Sequence, residues 1–249
     1  MVAEAYALMN SLEDRHWWFL GRRELIVRVV RRYTPAGGRI LDYGAGTAFI
    51  AKGLRDAGYE VTAADVNDAA LRACKAAGFA TIDLRREAVP AEGADGVVLA
   101  DVLEHSDREK DVLEPAIRSL SPRGHVIVTA PAIEFLWSGE DYVSHHRRRY
   151  TASRLRGALE DAGLRVCWCQ YFNTALFPLI AAAILWKRLM RPRDMYRSNM
   201  TPVHPMLNRV LYRIFSAESR LAGRIGFPIG ASLLAVAERV TGRVVSTLA

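Results

Sequence analysis

The chain has 249 residues, of which 51% are hydrophobic, and it carries a formal net charge of +7. This length predicts one large domain or one domain with an appendage, and the hydrophobic fraction is enough for a substantial core. The three cysteines, Cys74, Cys167 and Cys169, form no disulfide framework and have no second Cys/His pair, which excludes a disulfide-stapled domain and a cysteine metal site. We therefore expect a reducing, cytoplasmic setting, no metal and, because the first residues are mixed and acidic, no signal peptide.

The positive charge is concentrated in three arginine-rich clusters, near residues 15–32, 147–156 and 187–197. Such clusters suit nucleic acid, anionic lipid or a phosphorylated substrate, although solvated helix faces also explain most of these arginines. The sequence contains no nucleic-acid recognition motif, so we expect no nucleic-acid partner.

Residues 1–34 are predicted to be helical, and Pro35-Ala36-Gly37-Gly38 ends the helix. The segment His16-Trp17-Trp18-Phe19 has two interpretations. It packs in the core, as aromatic side chains commonly do, or it forms a lid whose aromatic faces attract a cation on a ligand. In the second case Arg22 could pair with a carboxylate of that ligand.

A glycine-rich turn follows the first predicted strand. Gly44 and Gly46 come directly after the hydrophobic residues 40–42, where they let the backbone approach a ligand that any Cβ atom would obstruct. The next strand ends in Asp65, 23 positions after Asp42, where a carboxylate can accept hydrogen bonds from ribose hydroxyls. The pattern predicts a nucleoside-binding βαβ unit.

Two cofactors fit such a unit. A dinucleotide site requires G-x-G-x-x-G, and here Phe49 occupies the third glycine position. The alternative pattern, acidic-x-G-x-G-x-G with Ala48 in the last position, resembles that of class I S-adenosylmethionine-dependent methyltransferases. S-adenosylmethionine has no pyrophosphate and carries an ammonium group, which suits an acidic residue such as Asp42. The resemblance favours S-adenosylmethionine, with S-adenosylhomocysteine as product, and leaves NAD as the weaker alternative.

Strands and helices alternate from residue 40 to residue 130, which predicts a parallel sheet. The predicted strands lie near 39–42, 59–64, 79–82, 95–100 and 125–130, and the predicted helices near 48–57, 67–77 and 107–120. Two more strands are predicted near 164–171 and 232–238. With them, the fold class that the resemblance implies is α/β: a Rossmann-like seven-stranded methyltransferase sheet with helices on both faces and a helical insertion before the last strand. The resemblance also implies that the last strand joins the sheet antiparallel, between the fifth and sixth strands. Glu104 and His105 follow the fourth strand, where they either face a ligand or cap the next helix.

A closer resemblance rests on two further segments. Leu103-Glu104-His105, with Leu120-Ser121-Pro122-Arg123-Gly124 as a turn into the fifth strand, is similar to methyltransferases that include the quinone-biosynthesis O-methyltransferases. Residues 141–150 resemble an Asp-x-x-x-Gly-His-x-Arg-Arg-Tyr signature of a bacterial subset that also begins with His-Trp-Trp-Phe. His145 replaces the glycine of that signature, which leaves open whether His145 or His146 faces the site.

Methyl transfer requires an aligned nucleophile and removal of its proton. A neutral histidine suits the second task, and a carboxylate can orient the ring. The predicted catalytic residues are His146 as general base, Asp141 behind it, and His145. The alternative is that His146 and Asp141 only fix the loop.

The resemblance also implies two sets of binding residues. The predicted cofactor-binding residues are Trp18, Arg22, Asp42, Gly44, Ala45, Gly46, Asp65, Val66, Asp83, Leu84, Asp101, Val102 and His105. The predicted substrate-binding residues are Trp17, Arg148, Arg149 and Tyr150, of which Arg148 and Arg149 could hold an anionic group.

The predicted division is an N-terminal helical lid at 1–34, a cofactor-binding domain at 35–172 and 230–249, and a helical insertion at 173–229. The insertion contains an uncharged run at 175–186, too short to span a bilayer, which is followed at once by basic residues. It is either a helix lying in a membrane interface, or a cap over the sheet or a dimer seam.

Together these patterns predict an S-adenosylmethionine-dependent methyltransferase that methylates oxygen on a hydrophobic or lipid-like small molecule. A C- or N-methyltransferase of a natural product and a non-catalytic binding protein are the alternatives. We expect the protein in the cytoplasm, with possible peripheral contact to the inner face of the membrane and a possible homodimer.

Overall fold

The computed structural model describes residues 10–240, and it contains one seven-stranded sheet in the order β3-β2-β1-β4-β5-β7-β6. The strands are β1 Arg39–Tyr43, β2 Glu60–Asp65, β3 Ala80–Asp83, β4 Ala94–Ala100, β5 Leu120–Pro131, β6 Leu164–Phe172 and β7 Ser232–Arg239. The first five strands are parallel, and β7 runs antiparallel between β5 and β6. The predicted fold class and the position of the last strand are therefore confirmed.

Eight helices accompany the sheet within the described residues: α1 Trp17–Tyr33, α2 Phe49–Asp56, α3 Asp68–Ala76, α4 Glu109–Ser119, α5 Gly139–Ser144, α6 Ala152–Asp161, α7 Phe177–Met190 and α8 Pro205–Ser219. Short 3₁₀ turns cover Leu103–His105, Glu134–Leu136 and Pro192–Tyr196. The buried side chains form two apolar clusters, because the two faces of a parallel sheet are both covered by helices.

The predicted helix over residues 1–34 is wrong in one respect. The chain leaves helical geometry after Leu12, and α1 begins only at Trp17. The backbone N–H of Trp17 donates to the Asn208 side chain of α8 at 2.8 Å, and His16 accepts from the N–H of Trp18. This cap comes from a distant segment, so no local pattern could reveal it.

Residues 1–9, part of the predicted lid, lie outside the described residues, as do residues 241–249 of the predicted cofactor domain.

The predicted turn at residues 120–124 is part of a strand. Leu120 pairs with Ala94, and the pairing resumes at Gly96 with His125 after a register shift. A bulge accommodates the extra residues of β5, so Pro122 and Gly124 do not end the strand.

The segment between β6 and β7 is helical, as predicted, and its two helices differ in burial. Helix α8 packs against α1 with Leu211 and Phe215 buried. Helix α7 has no buried residue. No helix within residues 10–240 has the length and apolar character needed to cross a membrane.

Candidate functional site

A cleft of about 930 Å³ lies beyond the carboxyl ends of β1, β2 and β4. Open α/β sheets bind ligands at this edge, where the strand order reverses direction. Helix α1 forms one wall of the cleft, and side chains from the segment 180–203 form another. Its size and partly apolar lining suit a small-molecule cofactor together with an acceptor.

The turn after β1 brings bare backbone to the cleft, as the sequence predicted. Gly44 has φ +82°, and a Cβ atom there would lie 2.6 Å from Val102. Gly46 has φ +54° and faces open space, since a Cβ atom would meet nothing within 4 Å. Ala48 also adopts a left-handed conformation, φ 63°, directly before α2. A glycine would take that conformation without strain, which explains the glycine of the related pattern.

Asp65 holds this turn in place. Its Oδ2 accepts from the N–H of Gly46 at 2.9 Å, and its Oδ1 accepts from the N–H of Asn67 at 2.8 Å. The carboxylate borders the cleft and, with two more lone-pair positions, can still accept hydrogen bonds from a ligand.

Asp42 is buried at the floor of the cleft with Oδ2 lacking any hydrogen-bond partner among residues 10–240. Burial raises the pKa of this carboxyl to about 7, although the positive charge of Arg22 opposes the shift. A buried carboxylate oxygen without a donor is costly, so a bound cationic group that supplies donors would stabilise it.

Helix α1 contributes both core and cleft residues. Trp17 is buried against Phe215, and Trp18 stacks on the same ring with a centroid distance of 6.2 Å. Both tryptophans also border the cleft, and the interpretation of the aromatic segment as a lid stays a prediction. Arg22 lies 5.3 Å from the Trp18 ring and pairs with Asp101 at 2.7 Å, while its Nε has no partner within the described chain.

The loop after β5 presents His146 to the cleft. Its Nδ1 lies 2.9 Å from Asp141, which is buried and also accepts two hydrogen bonds from Arg149. Burial would raise the pKa of Asp141, but hydrogen bonds from His146 and Arg149 lower it to about 2. Because an ionised carboxylate only accepts hydrogen bonds, the ring must donate from Nδ1, and the lone pair of Nε2 stays available.

The buried Glu104 and the solvent-accessible His105 lie near Nε2. Glu104 is fully buried, neither of its carboxyl oxygens has a hydrogen-bond partner in the described part of the chain, and its Oε1 lies 3.9 Å from Nε2 of His146. Burial raises the pKa of Glu104 well above its usual range and lowers that of His105 to about 4. Ligand atoms of Glu104, His105 and His146 lie within 4.8 Å of one another, so the three could hold a metal ion. The prediction of no metal rested on the cysteines and stays a prediction.

The structure brings most of the predicted site residues to the cleft, but not all of them. The predicted residues that line it are Trp17, Trp18, Arg22, Asp42, Gly44, Ala45, Gly46, Asp65, Val66, Asp101, Val102, His105, His146 and Arg149. Asp141 lies directly behind His146.

The predicted cofactor-binding residues Asp83 and Leu84 do not line the cleft. Asp83 hydrogen-bonds to the guanidinium of Arg85 at 2.8 Å, which holds its carboxylate at the sheet edge. The predicted catalytic residue His145 does not line the cleft either. It is exposed and ends α5 in a left-handed conformation, so His146 is the histidine that faces the site. This conformation explains the glycine of the related signature.

Two predicted substrate contacts are internal. Arg148 pairs with Glu109 at 2.6 Å and donates to the carbonyl oxygens of Ser106 and Asp107. Tyr150 is fully buried, and its hydroxyl donates to the same glutamate. Both side chains fix the loop, because their partners lie about 40 positions earlier in the chain. Arg149 lines the cleft, but its guanidinium is occupied by Asp141.

Glu13 is a cleft residue that the sequence did not reveal. It is buried and accepts a hydrogen bond from the Thr47 hydroxyl of the glycine-rich turn. Burial raises the pKa of Glu13 to about 7, although the Thr47 hydrogen bond opposes the shift. Its place next to the aromatic segment of α1 is the available sequence signal, and the prediction of a continuous helix conceals it.

Comparisons with known proteins agree with this geometry. A family model described as a methyltransferase domain matches residues 18–167. No curated protein matches the chain. A SAM-dependent methyltransferase from Archaeoglobus fulgidus has a similar structure, with 19% identity, TM-score 0.54, and coverage of 87% of this chain and 94% of its own.

Two other solved structures are similar over most of their length. The S-adenosylmethionine-dependent methyltransferase from Mesorhizobium loti shares 15% identity, with TM-score 0.55 and coverage of 91% of this chain and 100% of its own. The [4+2]-cyclase SpnF shares 18% identity, with TM-score 0.54 and coverage of 87% and 81%. At such identities the likeness establishes the fold, whereas the family model spans more than half of the chain. The chain therefore belongs to the methyltransferase domain family, within the class I S-adenosylmethionine-dependent superfamily whose cofactor is S-adenosylmethionine.

Proposed function

We propose that this protein is an S-adenosylmethionine-dependent methyltransferase acting on oxygen of a hydrophobic small molecule. The observation that carries the proposal is the buried Oδ2 of Asp42, which lies beneath a turn of bare glycine backbone and has no hydrogen-bond partner in the described part of the chain. A ligand with an ammonium group beside a nucleoside satisfies both features, and S-adenosylmethionine has that composition.

The remaining cleft residues fit the same molecule. Asp65 would hold the ribose hydroxyls, because its carboxylate is already oriented by two backbone N–H groups. Arg22 would hold the carboxylate, since its Nε lacks a partner within the described residues. When bound, the cofactor supplies a methyl group on a sulfonium, and the protein's task is then to position the acceptor and take its proton.

His146 would take that proton at Nε2. The ionised Asp141 keeps the hydrogen on Nδ1 and would stabilise the ring once it becomes positively charged. Arg149 positions Asp141 by holding both of its oxygens, at 2.9 and 2.8 Å. Burial raises the pKa of Glu104 beside Nε2 well above its usual range, which disfavours a competing negative charge there.

The acceptor's character is inferred from the far wall of the cleft. Ile180, Ile184 and Met200 line the cleft with side chains that offer no hydrogen bonds, whereas Lys187 and Asn199 of the same segment add polar groups. A mainly apolar molecule with one hydroxyl would match this wall and His146 together. C- or N-methylation with the same residues is the second candidate, since the base geometry serves any protonated nucleophile. The fold itself also supports other reactions, as the cyclase SpnF illustrates.

Transfer of a labelled methyl group tests the proposal. The protein is incubated with methyl-labelled S-adenosylmethionine and an organic-solvent extract of bacterial cells, and label in the extract is counted. We expect His146→Ala to lower labelling by roughly 10²- to 10⁴-fold, the usual contribution of a general base, without weakening cofactor binding.

His145→Ala is the matched control, because it removes the exposed neighbouring imidazole. It should label the extract at the wild-type rate. Wild-type labelling by His146→Ala would refute the assigned base. If the wild type and both variants bind the cofactor but none of them labels the extract, the alternative of a non-catalytic binding protein is favoured.

A further inference from the structure

Helix α7 presents an apolar surface to solvent. Its exposed large side chains are Leu179, Leu185, Trp186, Leu189 and Met190, which are between 44% and 68% exposed. Leu185 and Leu189 are four residues apart, as are Trp186 and Met190, and Leu179 lies two helical turns before Trp186, so the five side chains share one broad side of the helix. Soluble proteins rarely leave such a stripe uncovered, which indicates a binding surface.

The charge of this segment indicates what covers the stripe. Residues 177–197 contain five basic side chains and a single acidic one, Asp194, which pairs with Arg197 at 3.9 Å. Arg191, which also lines the cleft, lies over the Trp186 ring at 5.2 Å. Backbone carbonyl oxygens hold Arg188, which has no acidic partner among residues 10–240. A stripe of leucine and tryptophan beside uncompensated positive charge is complementary to an anionic lipid surface. A second copy of this chain carries the same positive surplus and is not complementary.

The opposite side of α7 faces the cleft. Ile180, Ala183 and Ile184 line the cleft, and Trp186 borders both surfaces. A helix of 14 residues is about 21 Å long, too short to span a bilayer but long enough to lie along one. The same helix thus separates the outer apolar surface from the cleft by its own width.

We propose that α7 lies on the surface of an anionic lipid bilayer with its exposed stripe inserted, and that the acceptor is a lipid-soluble molecule which reaches the cleft alongside this helix. The second part rests on the proposed function, whereas the first does not. A hydrophobic acceptor is concentrated in the bilayer, so a cleft wall placed there shortens its route.

Sedimentation with vesicles tests the docking surface. The full chain is mixed with vesicles of phosphatidylcholine alone, or of equal parts phosphatidylcholine and phosphatidylglycerol. We expect binding to the second kind, weakened in 0.5 M NaCl because salt screens the arginines. Leu189→Glu with Met190→Glu should lower the bound fraction at least tenfold, because both residues are two-thirds exposed and neither lines the cleft.

Ala76→Glu with Ala80→Glu is the matched control, since it adds the same two charges at exposed positions on α3 and β3. This control should bind vesicles as the wild type does. Equal sedimentation of the two double variants, or no binding of the wild type to anionic vesicles, would overturn the proposal. So would a wild-type dimer that Leu189→Glu with Met190→Glu dissociates, because the stripe would then be a dimer seam. Calorimetric binding of S-adenosylmethionine to each variant tests the proposed function separately.

Discussion

At the scale of single residues, Asp42 is the group most sensitive to a ligand. Its pKa lies about three units above that of an exposed aspartate, chiefly because the side chain is buried. Two charged groups act on the pKa of Asp42: Arg22 of α1 lowers it, and Asp65 of β2 raises it. Asp42 in turn raises the pKa of Cys74 on α3. Near neutral pH the carboxyl is therefore part protonated, and an ammonium group would bind to its ionised form.

Cofactor affinity should consequently depend on pH. Below a pKa of about 7 the carboxyl is neutral, so raising the pH from 5.5 to 7 should tighten S-adenosylmethionine binding by about tenfold. Asp42→Asn should bind weakly with no such slope, whereas Glu13→Gln, which removes the other cleft carboxyl with a pKa of about 7, should keep it. Titration calorimetry across this pH range measures the S-adenosylmethionine affinity of the wild type and of both variants. A wild-type affinity that does not change with pH would show that Asp42 does not bind the ammonium group.

Residue positions could be predicted from sequence where their partners are close along the chain. Gly44, Gly46 and Asp65 lie in one βαβ unit, so a local pattern identified them and the structure places them at the cleft. Arg148 and Tyr150 share Glu109 as partner, and no local pattern connects them to it. The guanidinium of Arg148 suited an anionic group on the substrate, but the direction of each side chain depends on tertiary packing.

At the scale of elements, the packing of α1 on α8 determines the shape of the cleft wall. Gly21 allows the two helices to approach, because a Cβ atom there would lie 2.5 Å from the Phe215 ring. That ring is 2% exposed and is surrounded by Trp17, Trp18 and Phe172, so it has little room to move.

Gly21→Ala should therefore destabilise the protein by about 1–2 kcal/mol, since overpacking exceeds the gain in helix propensity. Gly157→Ala in α6 is the control, because a Cβ atom there meets nothing within 4 Å. It should stabilise the protein by about 0.5–1 kcal/mol. Urea unfolding of both variants measures these differences. A neutral or stabilising Gly21→Ala would mean that the two helices are not in close contact.

Elements were predictable where hydrophobic periodicity is strong. The apolar runs of β4 and β7 identified buried strands, and α3, which the Asn67 side chain caps, begins near the expected position. The break before Trp17 was not predictable, because the side chain of Asn208 that caps α1 comes from the insertion.

At the scale of the whole molecule, the strand order explains why one cleft collects residues from distant parts of the chain. The chain reverses direction across the sheet between β1 and β4, so Asp42, Asp65 and Asp101 meet at one edge. The loop after β5 adds His146, and the segment between β6 and β7 closes the far wall. The resemblance implied the place of the last strand, and the sequence pattern predicted a parallel sheet, because strands and helices alternate along the chain. It could not predict that α7 serves as both cleft wall and outer surface.

Titration calorimetry of the full chain with S-adenosylmethionine and with NAD tests the central claim, that this cleft holds an adenosine carrying an activated methyl group. The account predicts saturable 1:1 binding of S-adenosylmethionine and no heat with NAD, because Phe49 occupies the position where a dinucleotide fold needs glycine. Binding of NAD, or no binding of S-adenosylmethionine at pH 7.5, would contradict it.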